Sequence, residues 1–152
     1  YGKVNNDSDV ASLQTDLDTL VQWSDEWQMM FNVGKCNVMH LGRNNRRSKY
    51  YKHGKELNEV RSERDLGIMV SEDLKVSNQC TQAAGKANRM LSMIKRTVRS
   101  RRAEVLIPLY KSLVRPHLEY CSAAWSPYYQ KDEAALERIQ HRFTRFIPGM
   151  SS

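Results

Sequence analysis

The chain has 152 residues, 40% hydrophobic and 27% charged, which is the balance of an ordinary globular protein large enough to bury a core. No run of about 18 apolar residues occurs, so no membrane-spanning helix is predicted, and the polar start of the chain predicts no signal peptide. The net charge of +7 favours an anionic partner, most often nucleic acid.

The cysteines are too few and too far apart for a disulfide framework or a Cys-x-x-Cys metal pair. Cys36, Cys80 and Cys121 are expected to be free thiols, as in a reducing compartment. We therefore expect an intracellular protein of the cytoplasm, the nucleus or both. Because the sequence starts at Tyr1 without an initiating methionine, we also expect a fragment of a longer product.

A first amphipathic helix is predicted from Asp7 to about Trp27. Asp7, Ser8 and Asp9 are good N-cap residues, and acids there suit the helix dipole. Apolar residues then recur at intervals of three and four, at Val10, Leu13, Leu17, Leu20 and Val21. The acids between them are interpreted as the solvated face of this helix.

After the first helix the apolar period changes to two, which is typical of short strands. The predicted elements are a strand at Met29–Phe31, a turn at Asn32–Lys35, a strand at Cys36–Leu41, a basic loop at Gly42–Lys49, a hairpin at Tyr50–Leu57 and a strand at Leu66–Val70. Together these elements predict a small sheet.

Helical spacing returns from Ser77 to Val98. One side of this predicted helix is apolar and carries Ala83, Ala87, Met90, Leu91, Ile94 and Val98. The opposite side is a row of bases, Lys86, Arg89, Arg96 and Arg99. A solvated helix face usually mixes charges of both signs, whereas this row contains no acid. Two interpretations stay open: the row contacts phosphates, or it is an unengaged solvated face.

The densest apolar block runs from Ala103 to Ser126, and the rest of the chain is expected to pack around it. Its predicted inward face is Val105, Leu106, Leu109, Tyr110, Leu113 and Val114. Pro116 is expected to kink or break the helix, since proline removes a backbone hydrogen bond. A second apolar helical segment, His117 to Trp125, is predicted to follow it.

A final helix is predicted from Lys131 to Ile147. Its inward side chains are Leu136, Ile139, Phe143, Phe146 and Ile147. Acids open this helix, and Arg142 and Arg145 close it, which matches the helix dipole. The predicted order is therefore one helix, a small sheet, and then three or four helices.

No motif in the residues themselves indicates a reaction. Gly-x-Ser-x-Gly, the P-loop and Gly-x-Gly-x-x-Gly are absent, and no pair of acids flanks a strand turn as two-metal polymerase chemistry requires. On a strand, Cys36 and His40 would lie about 13 Å apart, too far to share one ion. His117 and Cys121 supply only two ligands, fewer than a zinc site needs. No metal site is predicted.

Four segments, in the same order, resemble the reverse transcriptase of LINE-type non-LTR retrotransposons of the jockey and chicken-repeat kind. They are WQMMFNVGKCNVMHLGRNN (Trp27 to Asn45), ERDLGIMVSEDLKVSNQC (Glu63 to Cys80), KANRMLSMIKR (Lys86 to Arg96) and LYKSLVRPHLEYCSAAWSP (Leu109 to Pro127). The likeness extends over nearly the whole chain, and four colinear motifs make chance agreement improbable.

The resemblance implies an α+β fold in which one helix and a small antiparallel sheet, the end of a polymerase palm, precede an α-helical thumb bundle. The implied domains are a palm remnant with a primer-grip-like hairpin at 1–76 and a thumb at 77–152. In this family the two aspartates that hold Mg²⁺ lie upstream of the position of Tyr1. We therefore expect no cofactor in this fragment and no catalysis by it alone.

The resemblance also assigns roles to single residues. Asn32-x-x-Lys35 matches the family's turn whose lysine lies near the incoming nucleotide's phosphates, so Lys35 is the candidate proton donor to the leaving group. Arg64, Leu66 and Gly67 match the primer-grip hairpin, in which many relatives have an aromatic residue at the position of Asp65. The thumb match assigns nucleic-acid contact to Lys86, Arg89, Lys95, Arg96, Arg99, Arg101, Arg102, Lys111 and Arg115.

The predicted function is template–primer binding by a C-terminal fragment of an RNA-directed DNA polymerase. The expected partners are an RNA template and an RNA–DNA duplex, with no membrane, and the exposed palm edge allows self-association. The alternative is a helical protein-interaction module, taken over for another role and without nucleic-acid binding. A third hypothesis, an active polymerase, applies only if the natural product continues N-terminally.

Overall fold

The structure is a computed structural model and describes residues 1–150. It is 53% helical and 11% strand, so the chain combines helices with small sheets, compatible with the predicted α+β class. Residue contacts divide it into two units. The first comprises Tyr1–Glu63 and Ser71–Leu74, and the second comprises Arg64–Val70 and the chain from Lys75 onward. The last two residues of the predicted range 77–152 lie outside the described residues.

In the first unit the predicted N-terminal helix is present as α1, Asp7–Glu26. Its N-cap is Asn6, one residue before the predicted caps. The Asn6 side chain accepts a hydrogen bond from the Asp9 amide at 2.8 Å, and the Asp9 carboxylate accepts one from the Asn6 amide at 3.3 Å. This reciprocal capping box satisfies amides that the first helical turn leaves free, and so fixes where the helix begins.

The end of α1 explains why the predicted strand Met29–Phe31 does not form. The Met29 amide donates to the Ser24 carbonyl at 2.9 Å, and the Gln28 amide donates to the Asp25 carbonyl at 3.3 Å. Gln28 has a φ of 54°, as a residue in this type of helix cap requires. The strand prediction is wrong here because the Met29 amide caps the helix instead of entering a sheet.

The strands of the first unit are short and form separate pairs. β1, Asn37–Val38, pairs in parallel with β4, Asn58–Glu59, while β2, Tyr51–Lys52, and β3, Lys55–Glu56, form an antiparallel hairpin. The hairpin and its His53-Gly54 turn match the prediction, and both turn residues have positive φ. The predicted strand Cys36–Leu41 is reduced to β1, and its parallel partner departs from the predicted antiparallel sheet.

The buried residues of the first unit come mainly from the segment around this hairpin. Tyr50 and Leu57 are its buried hydrophobic residues, and His40 and Lys52 are buried polar ones. The Lys52 ammonium lies 3.1 Å from the centroid of the Phe31 ring, a cation–π contact that offsets part of the cost of burying the charge. Packing here therefore depends on few side chains.

A hairpin of β5, Ser62–Asp65, and β6, Ile68–Ser71, follows. Leu66 and Gly67 form its turn with φ values of 46° and 87°. The predicted strand Leu66–Val70 therefore starts two residues late, because its first two residues make the turn. Within the second unit, the Met69 amide donates to the Gln79 side chain at 2.9 Å, which anchors the hairpin.

The second unit is built on α2, Ser77–Thr97, which confirms the predicted helix. Its apolar side lies in the main core, where Ala87 and Leu91 are fully buried. The other buried members of this core are Ile94, Leu106, Val114, Ile139, Phe143, Phe146 and Ile147. A smaller cluster of Cys80, Ala83 and Trp125 continues it. The long helix thus buries one face over most of its length.

The central apolar block is helical but divided differently from the prediction. It comprises α3, Ala103–Leu109, a π-helical turn at Tyr110–Val114, α4, Arg115–Glu119, and α5, Ser122–Trp125. Pro116 lies in the first turn of α4, directly after the π-helical turn, so the regular α-helix is interrupted next to Pro116, where the sequence predicts a kink or break. A further break, which the sequence does not predict, comes at Cys121, which has a φ of 50°. Leu106 and Val114 are the fully buried residues of the predicted inward face, whereas Val105 and Leu113 are exposed.

The last helix, α6, spans Gln130–Thr144 and packs along α2. Ser77 in the first turn of α2 donates to the Asp132 carboxylate at 2.5 Å, and Asn88 further along α2 contacts Arg142 near the end of α6. These two contacts require the helices to run in the same direction. The predicted inward residues Ile139, Phe143 and Ile147 are buried.

Candidate nucleic-acid interface

A groove of about 640 Å³ lies on the surface of the second unit, between α2 and α6. It is shallow and open to solvent, and all six of its lining residues carry polar or charged groups: Asn88, Arg89, Ser92, Lys95, Arg96 and Arg142. Five of these residues come from α2 and one from α6. The groove is therefore a cationic concavity, and its shape depends on how the two helices pack.

The spacing of residues on α2 places these side chains together. Ala87, Leu91 and Ile94 face the core, and the residue that follows each of them, about 100° further around the helix, faces the groove: Asn88, Ser92 and Lys95. Arg89 and Arg96 are seven residues apart, which is close to two helical turns, so they share one side of the helix. Hydrophobic packing of one face thus orients the cations of the other.

Arg142 is fixed in the groove from two directions. Its guanidinium donates to the Asn88 side chain at 2.6 Å, and its backbone carbonyl accepts from the Lys95 ammonium at 3.2 Å. A guanidinium has five N–H donors, so this contact leaves donors for a ligand. Asn88 therefore positions Arg142 without neutralising it.

Lys95 lies beside an aromatic ring and close to two other cations. Its ammonium is 4.9 Å from the centroid of the Phe146 ring, and the Arg101 guanidinium lies 4.1 Å from the same ring. Burial, together with the positive charges of Arg142 and Arg101, lowers the pKa of Lys95 from its ordinary value of 10.5. An anion bound here would relieve repulsion between neighbouring cations.

No acid balances the groove in the part of the chain that the structure describes. α2 contains neither aspartate nor glutamate, and Arg89, Lys95, Arg96 and Arg142 make no ion pair with a described carboxylate. A solvated helix face of the usual kind mixes charge signs. The groove instead keeps a net positive potential that attracts anions.

The other predicted contact residues of the second unit lie outside this lining. Lys86 is half-buried one turn before Arg89, while Arg99, Arg101 and Lys111 are exposed. Two further predicted residues are engaged with acids. Arg102 pairs with Glu104 at 3.1 Å and Arg115 with Glu119 at 2.6 Å. The structure therefore brings three of the nine predicted residues, Arg89, Lys95 and Arg96, into one site.

The predicted primer-grip residues lie on the hairpin of β5 and β6. Arg64 donates to the Gln82 side chain at 2.7 Å, and the Tyr120 hydroxyl donates to the Leu66 carbonyl at 3.0 Å. The Leu66 side chain is 84% exposed at the tip. A Cβ atom added at Gly67 would lie 3.3 Å from the Tyr120 ring, so a side chain there would require the ring to shift slightly.

The predicted proton donor Lys35 lies in the first unit, in a 3₁₀ turn at Val33–Lys35. Its amide donates to the Asn32 carbonyl at 2.9 Å, which confirms the predicted turn, and its side chain is exposed. Among the described residues, no three histidine, cysteine, aspartate or glutamate side chains are grouped to hold a metal ion. The donor set for Mg²⁺ is therefore not found around Lys35, and no chemical step is assigned to this lysine.

The residues of the groove that the sequence did not assign to binding are Asn88, Ser92 and Arg142. From the sequence, Arg142 is explained by the helix dipole alone, because a sequence does not show which two helices lie side by side. The sequence does contain one indication that Arg142 could bind an anion, which is that the half of α6 around it contains no acid. Acids in that helix are confined to Asp132, Glu133 and Glu137.

Comparisons of the chain with protein-family models, with curated proteins and with solved structures find no match. Within residues 1–150, no helix has both the length and the apolar character needed to cross a membrane.

Proposed function

We propose that this chain binds the phosphate backbone of nucleic acid through the groove between α2 and α6. The observation that carries the proposal is that four cations, Arg89, Lys95, Arg96 and Arg142, converge on one concavity without a described acidic partner. Phosphate contacts of this kind give affinity that depends on salt and not on base sequence.

We further propose that the chain is a segment of a non-LTR retrotransposon reverse transcriptase, with α2 to α6 acting as its thumb. Support comes from the four colinear segments that resemble this family and from a basic groove on the helices that correspond to the thumb. In this proposal the ligand is an RNA template or RNA–DNA duplex in the cytoplasm or nucleus. The Mg²⁺-binding aspartates and the chemistry of polymerisation belong to an upstream part of the polymerase.

The test is binding of a short RNA–DNA heteroduplex, measured by fluorescence anisotropy at several salt concentrations. The double variant R89E/R96E should lose roughly 100-fold in affinity at low salt, because it replaces phosphate contacts with repulsion. The matched control is K3E/R43E, which changes the net charge equally at exposed positions outside the groove. This control should stay within about threefold of the unchanged protein.

Two results would contradict nucleic-acid binding by the groove. One is an absence of binding by the unchanged chain at low salt, or an affinity that does not respond to salt. The other is an equal loss of affinity in the control variant and in the groove variant, which would mean that net charge alone drives binding. Circular dichroism of each variant establishes that the fold is retained.

A second candidate function is binding of another protein, and one observation favours it. The first unit exposes five large apolar side chains at the end of α1 and just beyond it, called the apolar patch here: Leu20, Trp23, Trp27, Met29 and Met30. A concentration of exposed apolar side chains in one segment is typical of an interaction site. Nucleic-acid binding by the groove and protein binding by this patch use different residues, so separate variants distinguish them.

A further inference from the structure

We propose that α6 carries a second phosphate-binding cavity, which extends the nucleic-acid footprint beyond the first groove. This inference rests on the proposed function, since it concerns the same ligand. The cavity has a volume of about 260 Å³ and is lined by Arg138, His141, Arg142, Thr144 and Arg145. Nothing in the sequence analysis assigned a binding role to these residues.

The lining residues form one face of α6. Arg138, His141, Arg142 and Arg145 are spaced by three and four residues, so their side chains are neighbours on the helix surface. All four are exposed, and none pairs with an acid among the residues described. Like charges at this spacing destabilise a helix unless a ligand or solvent compensates. The cluster thus has the charge and the concave shape that suit a phosphate.

Complementing the helix dipole does not explain the whole cluster. Cations stabilise the negative end of a helix only within about the last turn. Arg142 lies in the last turn of α6, which ends at Thr144, but Arg138 lies more than one turn earlier. The helix dipole therefore does not account for the position of Arg138, whereas phosphate binding in the cavity that Arg138 shares with Arg142 does.

The two cavities differ in volume, but their arginine pairs have the same spacing and the cavities share a residue. Arg89 and Arg96 on α2 are seven residues apart, as are Arg138 on α6 and Arg145, the residue that caps its C-terminus, and each pair spans about 10 Å along the helix axis. One strand of a duplex carries a phosphate about every 3.4 Å along the axis, so each pair reaches phosphates roughly three steps apart. Arg142 lines both cavities, and its contact with Asn88 fixes it between them.

The two-cavity footprint predicts how binding depends on salt. With the same RNA–DNA heteroduplex, R138Q/R145Q should lower the affinity about tenfold at low salt. It should also lower the slope of log affinity against log salt by about 1 to 2. R89Q/R96Q should lower the slope similarly, and the effects of the two pairs should add because they contact different phosphates. R142Q affects both cavities. When it is combined with either pair of substitutions, that pair should lower the affinity by less than it does in the unchanged protein.

The matched control is K3Q/R43Q, which removes two exposed cations far along the sequence from both cavities and should leave the slope unchanged. If Arg145 proves necessary for the end of α6 to fold, R138Q alone tests the cavity, because Arg138 lies within the helix. A slope decrease of about 0.7 to 0.9 is expected from this single variant.

Each contrary outcome has a distinct meaning. If R89Q/R96Q lowers the slope while R138Q/R145Q and R138Q do not, the second cavity is not a phosphate site and the proposed function stands. If the unchanged chain does not bind the heteroduplex, both proposals fail. If vesicles of anionic lipid bind as tightly and lose binding with the same substitutions, the site recognises anionic surfaces in general, and the nucleic-acid assignment is overturned.

Discussion

The three cysteines illustrate how one residue type takes different properties from its surroundings. Cys80 is fully buried, Cys36 is half-buried and Cys121 is exposed, and all three are free thiols. Burial first, and the charge of Asp132 second, raises the pKa of Cys80 above its ordinary value of 9.0. The thiolate is the reactive form of cysteine. Cys80 is therefore protected from thiol reagents, because it is buried and because its sulfur stays protonated.

We therefore predict that a thiol reagent at neutral pH modifies Cys121 rapidly and Cys80 only on unfolding, as followed by mass spectrometry of peptides. The same shift makes stability depend on pH. The folded state holds the Cys80 proton more tightly than the unfolded state does. The contribution of this thiol to the free energy of unfolding is therefore complete below the ordinary thiol pKa and decreases as the pH rises above it.

The control for this prediction is C80A. Urea unfolding between pH 8 and pH 10 should show a smaller loss of stability for C80A than for the unchanged protein, because the titrating group has been removed. Equal slopes for the two proteins, or rapid labelling of Cys80 in the folded state, would contradict the prediction.

Among the elements, the hairpin of β5 and β6 combines strain with a close contact. Leu66 occupies a left-handed conformation that costs a non-glycine residue about 1 kcal/mol or more, although its side chain is exposed. The Tyr120 hydroxyl holds this turn through the Leu66 carbonyl. Strain persists only where surrounding contacts hold the backbone, and the Tyr120 contact is of that kind.

Substitutions in this turn should have opposite effects on stability. G67A should destabilise the second unit by about 1–2 kcal/mol, because its Cβ would lie 3.3 Å from the Tyr120 ring on backbone of positive φ. L66N should stabilise it by up to about 1 kcal/mol, since asparagine tolerates this conformation better than leucine. Thermal unfolding followed by circular dichroism measures both, and an equal effect of the two changes would refute the assignment of strain.

The long helices and the hairpin of β2 and β3 were predictable from the sequence, whereas the other short strands and the complete lining of the groove were not. α1, α2 and α6 have clear apolar periods, and their bounds agree with prediction to within a few residues. The break at Cys121 and the cap at Gln28 depend on positive φ at residues that do not favour it, so the residue types at these positions give no signal of either feature. Arg142 joined the site only through the pairing of α2 with α6, which periodicity does not encode.

At the scale of the whole molecule, the apolar patch at the end of α1 and the cationic grooves predict opposite responses to salt. Trp27 is 63% exposed and Met30 is 69% exposed. Screening of the net charge of +7 removes repulsion between copies, so contacts through apolar surface should strengthen as salt rises. Binding to nucleic acid should weaken over the same range.

We predict that light scattering of the unchanged chain will show increasing association between about 0.1 and 1 M salt. W27S/M30S should abolish this increase without changing the salt dependence of heteroduplex binding. L66S/L74S, which removes two exposed apolar side chains elsewhere in the sequence without changing the net charge, serves as the matched control and should leave the salt-induced association in place. If W27S/M30S associates as the unchanged chain does, the apolar patch is not the contact surface and the second candidate function loses its support.

The parallel packing of α2 and α6 has a consequence for how long a ligand stays bound. Because both helices run in the same direction, their negative ends come together near Lys95, Arg96, Arg142 and Arg145. In the proposed complex these aligned peptide dipoles would oppose an incoming phosphate, so binding would be weaker than the number of cations alone suggests. Weak, sequence-independent contacts of this kind would let a bound strand slide from one register to the next.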